Sequence, residues 1–142
     1  MAGERILIVE DNEKNLKLVR DVLQFRGYGT LEATTAEAGI RLATEHMPDL
    51  ILMDIQLPDM NGEAALARLR AEPSTADVAV IALTAQAMGG DRERLLGAGF
   101  AGYLAKPISV KDFPDQVRQF CEHRNQGAPV RAEEIERCNG PC

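Results

Sequence analysis

Three carboxylates, one hydroxyl and one amine directly follow apolar runs of the sequence, at positions where strands are predicted to end. They are Glu10 and Asp11 after ILIV, Asp54 after LILM, Thr84 after IAL, and Lys106 after YLA. In an open parallel sheet the carboxyl ends of the strands share one edge, and ligands bind there. We therefore expect these five side chains to lie close together.

Three neighbouring carboxylates repel one another, and their proton affinity rises unless a cation lies between them. Oxygen ligands with no His or Cys nearby favour a hard divalent ion, and an open site that keeps water favours Mg²⁺ over Ca²⁺. Such an ion would spread charge away from a phosphoryl group transferred to a carboxylate. Lys106 could pair with one phosphate oxygen and Thr84 could donate a hydrogen bond to another, so the set is suited to an aspartyl phosphate.

Alternating strands and helices are predicted to position this edge. Continuous apolar runs over residues 6–9, 50–53 and 78–83 are typical of strands buried on both faces, and weaker strands are predicted over 30–33 and 102–106. Between the strands, apolar residues recur at helical spacing. These are Leu16, Val19 and Leu23; Ala36, Gly39, Ile40 and Ala43; Gly62, Leu66 and Leu69; and Val110, Phe113, Val117 and Phe120.

Capping and breaking residues agree with this assignment. Thr35 and Ser109 are predicted N-caps of the second and fifth helices, and Gly97 and Gly99 are predicted to end the fourth. Pro114 places the regular start of the fifth helix near Asp112. Five strand–helix units before residue 123 predict a doubly wound α/β domain.

Length and composition limit the remaining possibilities. The chain has 142 residues, 45% of them hydrophobic, and a formal net charge of −6 at pH 7. One core can form at this size without disulfides or a metal. The acidic balance and the lack of a basic cluster disfavour nucleic acid as the main partner. The first apolar run is too short for a signal peptide or a membrane span, so the default expectation is a cytoplasmic protein.

The periodic pattern stops after His123, which predicts one domain over residues 1–123 and a flexible mixed-charge tail over 124–142. The tail is too short for a DNA-binding or catalytic domain. Cys138 and Cys142 lie in it, and two thiols alone do not make a zinc site.

Four segments in order, IVEDNEKN, LILMDIQLPDMNG, IALTA and YLAKPI, resemble the receiver domains of two-component response regulators, the CheY-like superfamily. The resemblance covers residues 4–123. It implies the flavodoxin-like strand order 2-1-3-4-5. Each segment alone is a weak signal, but the four in register are specific.

The resemblance also implies roles for the carboxylates. Asp54 corresponds to the phosphoacceptor. Mg²⁺ would be bound by Asp11, by Asp54 and by the backbone carbonyl of Gln56. Many receivers have Asp at the position of Glu10, and the longer side chain is expected to reach the ion through water.

Further roles concern the response to phosphorylation. Thr84 and Lys106 correspond to the hydroxyl and the amine that sense the phosphate, and Tyr103 to the aromatic residue that reorients with that hydroxyl. A cis peptide is expected at Pro107. The side chain of Gln86, like that of Gln56, lies two residues beyond a site residue, and we expect both to tune the lifetime of the phosphoryl group.

The resemblance implies a partner histidine kinase or histidine phosphotransfer protein as donor. Output would pass to another protein through the face formed by the fourth helix, the fifth strand and the fifth helix, without DNA or membrane binding. No turnover of a separate substrate is expected.

Other functions fit the residues less well. A flavin carrier needs a loop rich in Ser, Thr and Gly after the first strand, where this chain has EDNEKN, and neither common nucleotide-binding glycine motif occurs. A phosphatase of the haloacid dehalogenase type would need an Asp at the position of Gln56. A pseudo-receiver that is never phosphorylated is the remaining alternative, and the intact acceptor set disfavours it.

Overall fold

Along the residues that the structure describes, ten elements alternate strand and helix. The computed structural model describes residues 4–85, 91–106 and 108–124. The elements are β1 (Arg5–Val9), α1 (Glu13–Phe25), β2 (Gly29–Ala33), α2 (Ala36–His46), β3 (Leu50–Asp54), α3 (Gly62–Ala71), β4 (Ala79–Thr84), α4 (Asp91–Ala98), β5 (Gly102–Ala105) and α5 (Phe113–Arg124). All strand pairs are parallel and their order is β2-β1-β3-β4-β5. The predicted doubly wound fold and its strand order are confirmed.

Successive residues of the central strands point to opposite faces of the sheet, as the pleat requires. Ile6 and Ile8 of β1 belong to a core cluster with apolar residues of α1 and α5. Leu7 and Val9 belong to a second cluster with residues of α2, α3 and α4. The continuous apolar runs therefore reflect strands covered by helices on both faces.

Side chains at the N-termini fix where three helices begin. Asn12, Thr35 and Asn61 each accept a hydrogen bond from the backbone amide three residues later, at the starts of α1, α2 and α3. Thr35 was predicted from the sequence. Ser109, also predicted, lies four residues before α5: its Oγ accepts from the amide of Asp112 at 3.4 Å and its carbonyl from the amide of Phe113 at 2.8 Å, so it caps the turn that leads into the helix.

Within the described ranges, no helix is both long enough and apolar enough to cross a membrane. The predicted Gln86 and Pro107 sites and the Cys138/Cys142 tail lie outside these ranges.

Candidate functional site

Four of the five side chains predicted to meet, those of Glu10, Asp11, Asp54 and Lys106, do so at the carboxyl edge of the sheet, and Thr84 ends a strand at the same edge. Glu10 and Asp11 directly follow β1, Asp54 and Thr84 are the last residues of β3 and β4, and Lys106 directly follows β5. One carboxylate oxygen from each of the three acids lies within 4.8 Å of the other two. The three acids lie together because β1 and β3 are neighbours in the centre of the sheet.

Lys106 joins two of the acids. Its Nζ lies 2.7 Å from Oδ2 of Asp54 and 2.9 Å from Oε1 of Glu10. Burial disfavours the ammonium form, but the hydrogen bond to Asp54 and the ion pair with Glu10 outweigh it and raise the pKa of Lys106. Lys106 is therefore charged at neutral pH.

Glu10 is almost fully buried, with 1% of its surface exposed. Its Oε2 accepts from the amide of Asn12 at 3.1 Å, whereas its Oε1 contacts Lys106 as an ion pair without hydrogen-bond geometry. Burial raises the pKa of Glu10, the neighbouring Asp54 raises it further, and Lys106 and the Asn12 amide only partly oppose this. One carboxylate oxygen of Glu10 is thus buried against the Lys106 ammonium without a hydrogen bond of its own.

Asp54 is held at both oxygens. Its Oδ1 accepts from the backbone amide of Gln56 at 2.9 Å, and its Oδ2 accepts from Lys106. Only 4% of the residue is exposed, whereas Asp11 beside it is exposed. The two bonds fix the orientation of the buried Asp54 carboxylate, which forms the acidic cleft together with Glu10 and the exposed Asp11.

The two ends of the loop that follows Asp54 lie close together. Gln56 and Asn61 form an isolated bridge, and the amide of Gly62 donates to the carbonyl of Ile55 at 3.0 Å. A Cβ atom at position 62 would lie 2.8 Å from Cα of Ile55, so only glycine allows this approach. The close contact holds the Gln56 peptide next to Asp54.

Thr84 is coupled to Lys106 through the backbone. It is 2% exposed, and its carbonyl accepts from the amide of Lys106 at 2.8 Å. Tyr103 pairs in register with Ala82 and packs, partly buried, against the core cluster that includes residues of α4. Thr84 and Tyr103 thus lie on the adjacent strands β4 and β5.

Two residues that shape the loop, Asn61 and Asp59, were not predicted from the sequence. Asn61 precedes the apolar pattern of α3 directly, so the N-cap preference of Asn was an available signal. Asp59 had no local signal, because it accepts hydrogen bonds from the amides of Ala36 and Glu37, more than 20 residues away in sequence.

The donors of the cleft fit a hard divalent cation. Glu10, Asp11 and Asp54 offer oxygen ligands, and together with Lys106 they leave a formal charge of −2. The buried Oε1 of Glu10 has no hydrogen bond. Charge and donor type therefore both favour cation binding.

Comparisons with known proteins agree with one another. The family described as response regulator receiver domain matches residues 6–118. The polar-differentiation response regulator DivK of Brucella ovis is 44% identical over 115 residues, which are 81% of this chain and 94% of that protein.

Solved structures give the same result. The receiver domain of a sensor histidine kinase from Pseudomonas aeruginosa, with a magnesium ion coordinated in its active-site cleft, has a TM-score of 0.77 and 36% identity, covering 84% of this chain and 98% of that one. A CheY-like receiver domain protein from Methanospirillum hungatei has a TM-score of 0.77 and 29% identity, and the match covers 87% of this chain and 98% of that one. The family match over residues 6–118 includes every acid of the cleft, Thr84 and Lys106.

Proposed function

Because the chain belongs to the response regulator receiver family, we propose that Asp54 accepts a phosphoryl group from a phosphohistidine of a partner protein. The observation that carries this proposal is the fixed Asp54 carboxylate, bonded to Lys106 and next to two further acids. The P–N bond to the donor histidine breaks as a P–O bond forms to an Asp54 oxygen. The donor is a histidine kinase or a histidine phosphotransfer protein.

The cofactor proposed for this step is Mg²⁺. Asp11, Asp54 and the backbone carbonyl of Gln56 would hold it, with Glu10 joined through water. When bound, Mg²⁺ withdraws negative charge from the phosphoryl oxygens. The formal charge of the cleft and the magnesium ion in the related Pseudomonas aeruginosa receiver support this assignment.

Lys106 and Gln56 prepare the acceptor. The raised pKa keeps Lys106 protonated, so that its ammonium can move from Asp54 to a phosphoryl oxygen once the new bond forms. The Gln56 amide holds the other oxygen of Asp54 and restricts rotation of the carboxylate. Both groups reduce the reorganisation that the transfer requires.

The readout of phosphorylation would pass through Thr84 and Tyr103. Thr84 would hydrogen-bond a phosphoryl oxygen, and Tyr103 would follow it towards the core. The face formed by α4, β5 and α5 would then shift between two conformations, and its affinity for a downstream protein would change with their populations. Partner binding at this face, rather than DNA binding, is the proposed output.

The lifetime of the phosphoryl group is proposed to depend on two amide side chains. Gln56 is exposed two residues beyond Asp54, where it can control the approach of water. Gln86 holds the corresponding position after Thr84. Alanine at both positions is expected to change the half-life of the phosphorylated protein, and an unchanged half-life would contradict this role.

Incubation with a small-molecule phosphodonor and Mg²⁺, followed by intact-mass analysis, tests the acceptor. The wild type is expected to gain one phosphoryl group and Asp54→Asn none. Asp77→Asn, at an exposed site outside the cleft, serves as the matched control and should be labelled normally. Labelling of Asp54→Asn, or an unlabelled wild type, would contradict the proposal, and the second outcome would favour a pseudo-receiver.

A further inference from the structure

The loop between β3 and α3 is bound at its tip to the start of a different helix. Asp59 accepts from the amide of Ala36 at 2.9 Å through Oδ1, and from the amide of Glu37 at 3.0 Å through Oδ2. Ala36 and Glu37 are the first two residues of α2. These amides lower the pKa of Asp59, so the carboxylate is ionised at the positive end of the helix dipole.

This contact is additional to the ordinary caps of the two helices. Asn61 caps α3 and Thr35 caps α2. Arg68 of α3 also contacts both carboxylate oxygens of Glu37, at 2.7 and 2.6 Å. Asp59 therefore ties the loop to α2 where each helix already has its own N-cap.

The base of the same loop carries the group that touches the acceptor. Gln56 donates its amide to Asp54 and pairs with Asn61 across the loop. Leu57 is 8% exposed and Met60 packs against the core, so the loop is held from below as well as at its tip. A change at the tip can reach the Gln56 peptide over only three residues.

We propose that Asp59 is a positioning residue for phosphoryl transfer. By anchoring the loop to α2, it keeps the Gln56 peptide fixed, so that the amide stays bonded to Asp54 and the carbonyl is available to the metal. The part about the carbonyl rests on the proposed Mg²⁺ site. The part about the amide does not depend on any ion.

Two variants separate this role from simple helix capping. Asp59→Ala removes both bonds to α2 and frees the loop tip. Thr35→Ala is the matched control, because it removes an N-cap bond from the same helix and leaves the loop anchored. Asp59→Asn keeps one acceptor oxygen and should give an intermediate result.

The first measurement is the amide hydrogen exchange of Gln56 by NMR in metal-free protein, with the buried Leu52 amide as the reference for global opening. Asp59→Ala is expected to accelerate Gln56 exchange about fivefold beyond the change at Leu52. Thr35→Ala should change Gln56 and Leu52 in parallel. Equal behaviour of Gln56 in the two variants would overturn the proposal and leave Asp59 as a helix cap.

The second measurement is Mg²⁺ binding by calorimetry. Asp59→Ala is expected to raise the Kd for Mg²⁺ about three- to tenfold, whereas Thr35→Ala leaves it unchanged. If the wild type binds Mg²⁺ and Asp59→Ala binds it equally well, the role towards the metal is refuted. If the wild type binds no Mg²⁺, the proposed metal site fails, and Gln56 exchange still decides whether Asp59 positions the loop.

Discussion

Lys106 and Asp54 form a buried ion pair across the carboxyl edge of the sheet, with Nζ and Oδ2 2.7 Å apart. The Lys106 side chain is 18% exposed and that of Asp54 is 6% exposed, so water screens the pair weakly. The same ammonium lies 2.9 Å from Glu10. Before any cation binds, Lys106 is thus the charge that offsets two buried carboxylates.

Removal of this charge should destabilise the protein. Lys106→Met leaves Glu10 and Asp54 buried without their cation, and we expect it to lower the free energy of unfolding by about 2 kcal/mol at neutral pH. Mg²⁺ should raise the free energy of unfolding more in Lys106→Met than in the wild type, because it then replaces the missing Lys106 ammonium as the cation next to the two carboxylates. Urea unfolding with and without Mg²⁺ measures both effects.

Lys17→Met is the control for Lys106→Met. Lys17 pairs with Asp21 on the surface of α1 with 69% of its side chain exposed, and its loss should change stability little. An equal loss of stability in the two variants would mean that burial does not strengthen the Lys106 pairs.

Mg²⁺ itself should stabilise the wild type. A ligand that binds only the folded state at 100 times its Kd adds about 2.7 kcal/mol to the free energy of unfolding. We expect millimolar Mg²⁺ to raise the melting temperature of the wild type and of Asp21→Ala, but not that of Asp11→Ala. An equal rise in Asp11→Ala would show that the acidic cleft is not the binding site.

The site was predictable because it depends on the ends of strands. β1, β3 and β4 are buried on both faces, so their apolar runs stop where polar side chains begin, and parallel strands deliver those ends to one edge. Strand boundaries differ from prediction by at most one residue, and β3, for example, includes Asp54 itself. Gly97, predicted to end α4, instead lies within that helix.

The contacts between side chains were not predictable in the same way. Glu10 was expected to face the ion through water, and the structure also places it against Lys106, a pairing that depends on how far each side chain reaches across the sheet. Asp59 bonds to a helix that precedes it by more than 20 residues. Neither partner leaves a periodic or local signal in the sequence.

The left-handed backbone at Met47 offers a test of local strain. Met47 follows α2 with φ of +47° and ψ of +64°, and its amide donates to the carbonyl of Ala43. A residue other than glycine in this backbone conformation is less stable by about 1–2 kcal/mol. Replacement by glycine removes this penalty, but part of the gain is lost because glycine also makes the unfolded chain more flexible. Met47 is 62% exposed, so little packing is lost with its side chain. We therefore expect Met47→Gly to raise the free energy of unfolding by about 0.5–1 kcal/mol.

Met47→Ala distinguishes backbone strain from loss of the side chain. Alanine removes the exposed Met side chain and keeps the penalty for positive φ, so its stability should stay near that of the wild type. Urea unfolding of the three proteins measures the difference. If Met47→Ala is stabilised as much as Met47→Gly, the gain does not come from the backbone.

Asp59 should make stability depend on pH in acid. Its pKa in the folded state lies below the ordinary value of 3.8, because the amides of Ala36 and Glu37 bond its ionised form. A carboxyl with a lowered folded pKa stabilises the fold above its unfolded pKa, and this contribution is lost as the pH falls through the folded pKa. The stability advantage of the wild type over Asp59→Asn should therefore be present at pH 6 and shrink below about pH 4. Urea unfolding across this pH range measures the difference. Thr35→Ala is the control: the stability that it loses relative to the wild type should not depend on pH, because the threonine hydroxyl does not titrate. A constant difference between the wild type and Asp59→Asn would mean that the bonds to α2 do not favour the ionised carboxylate.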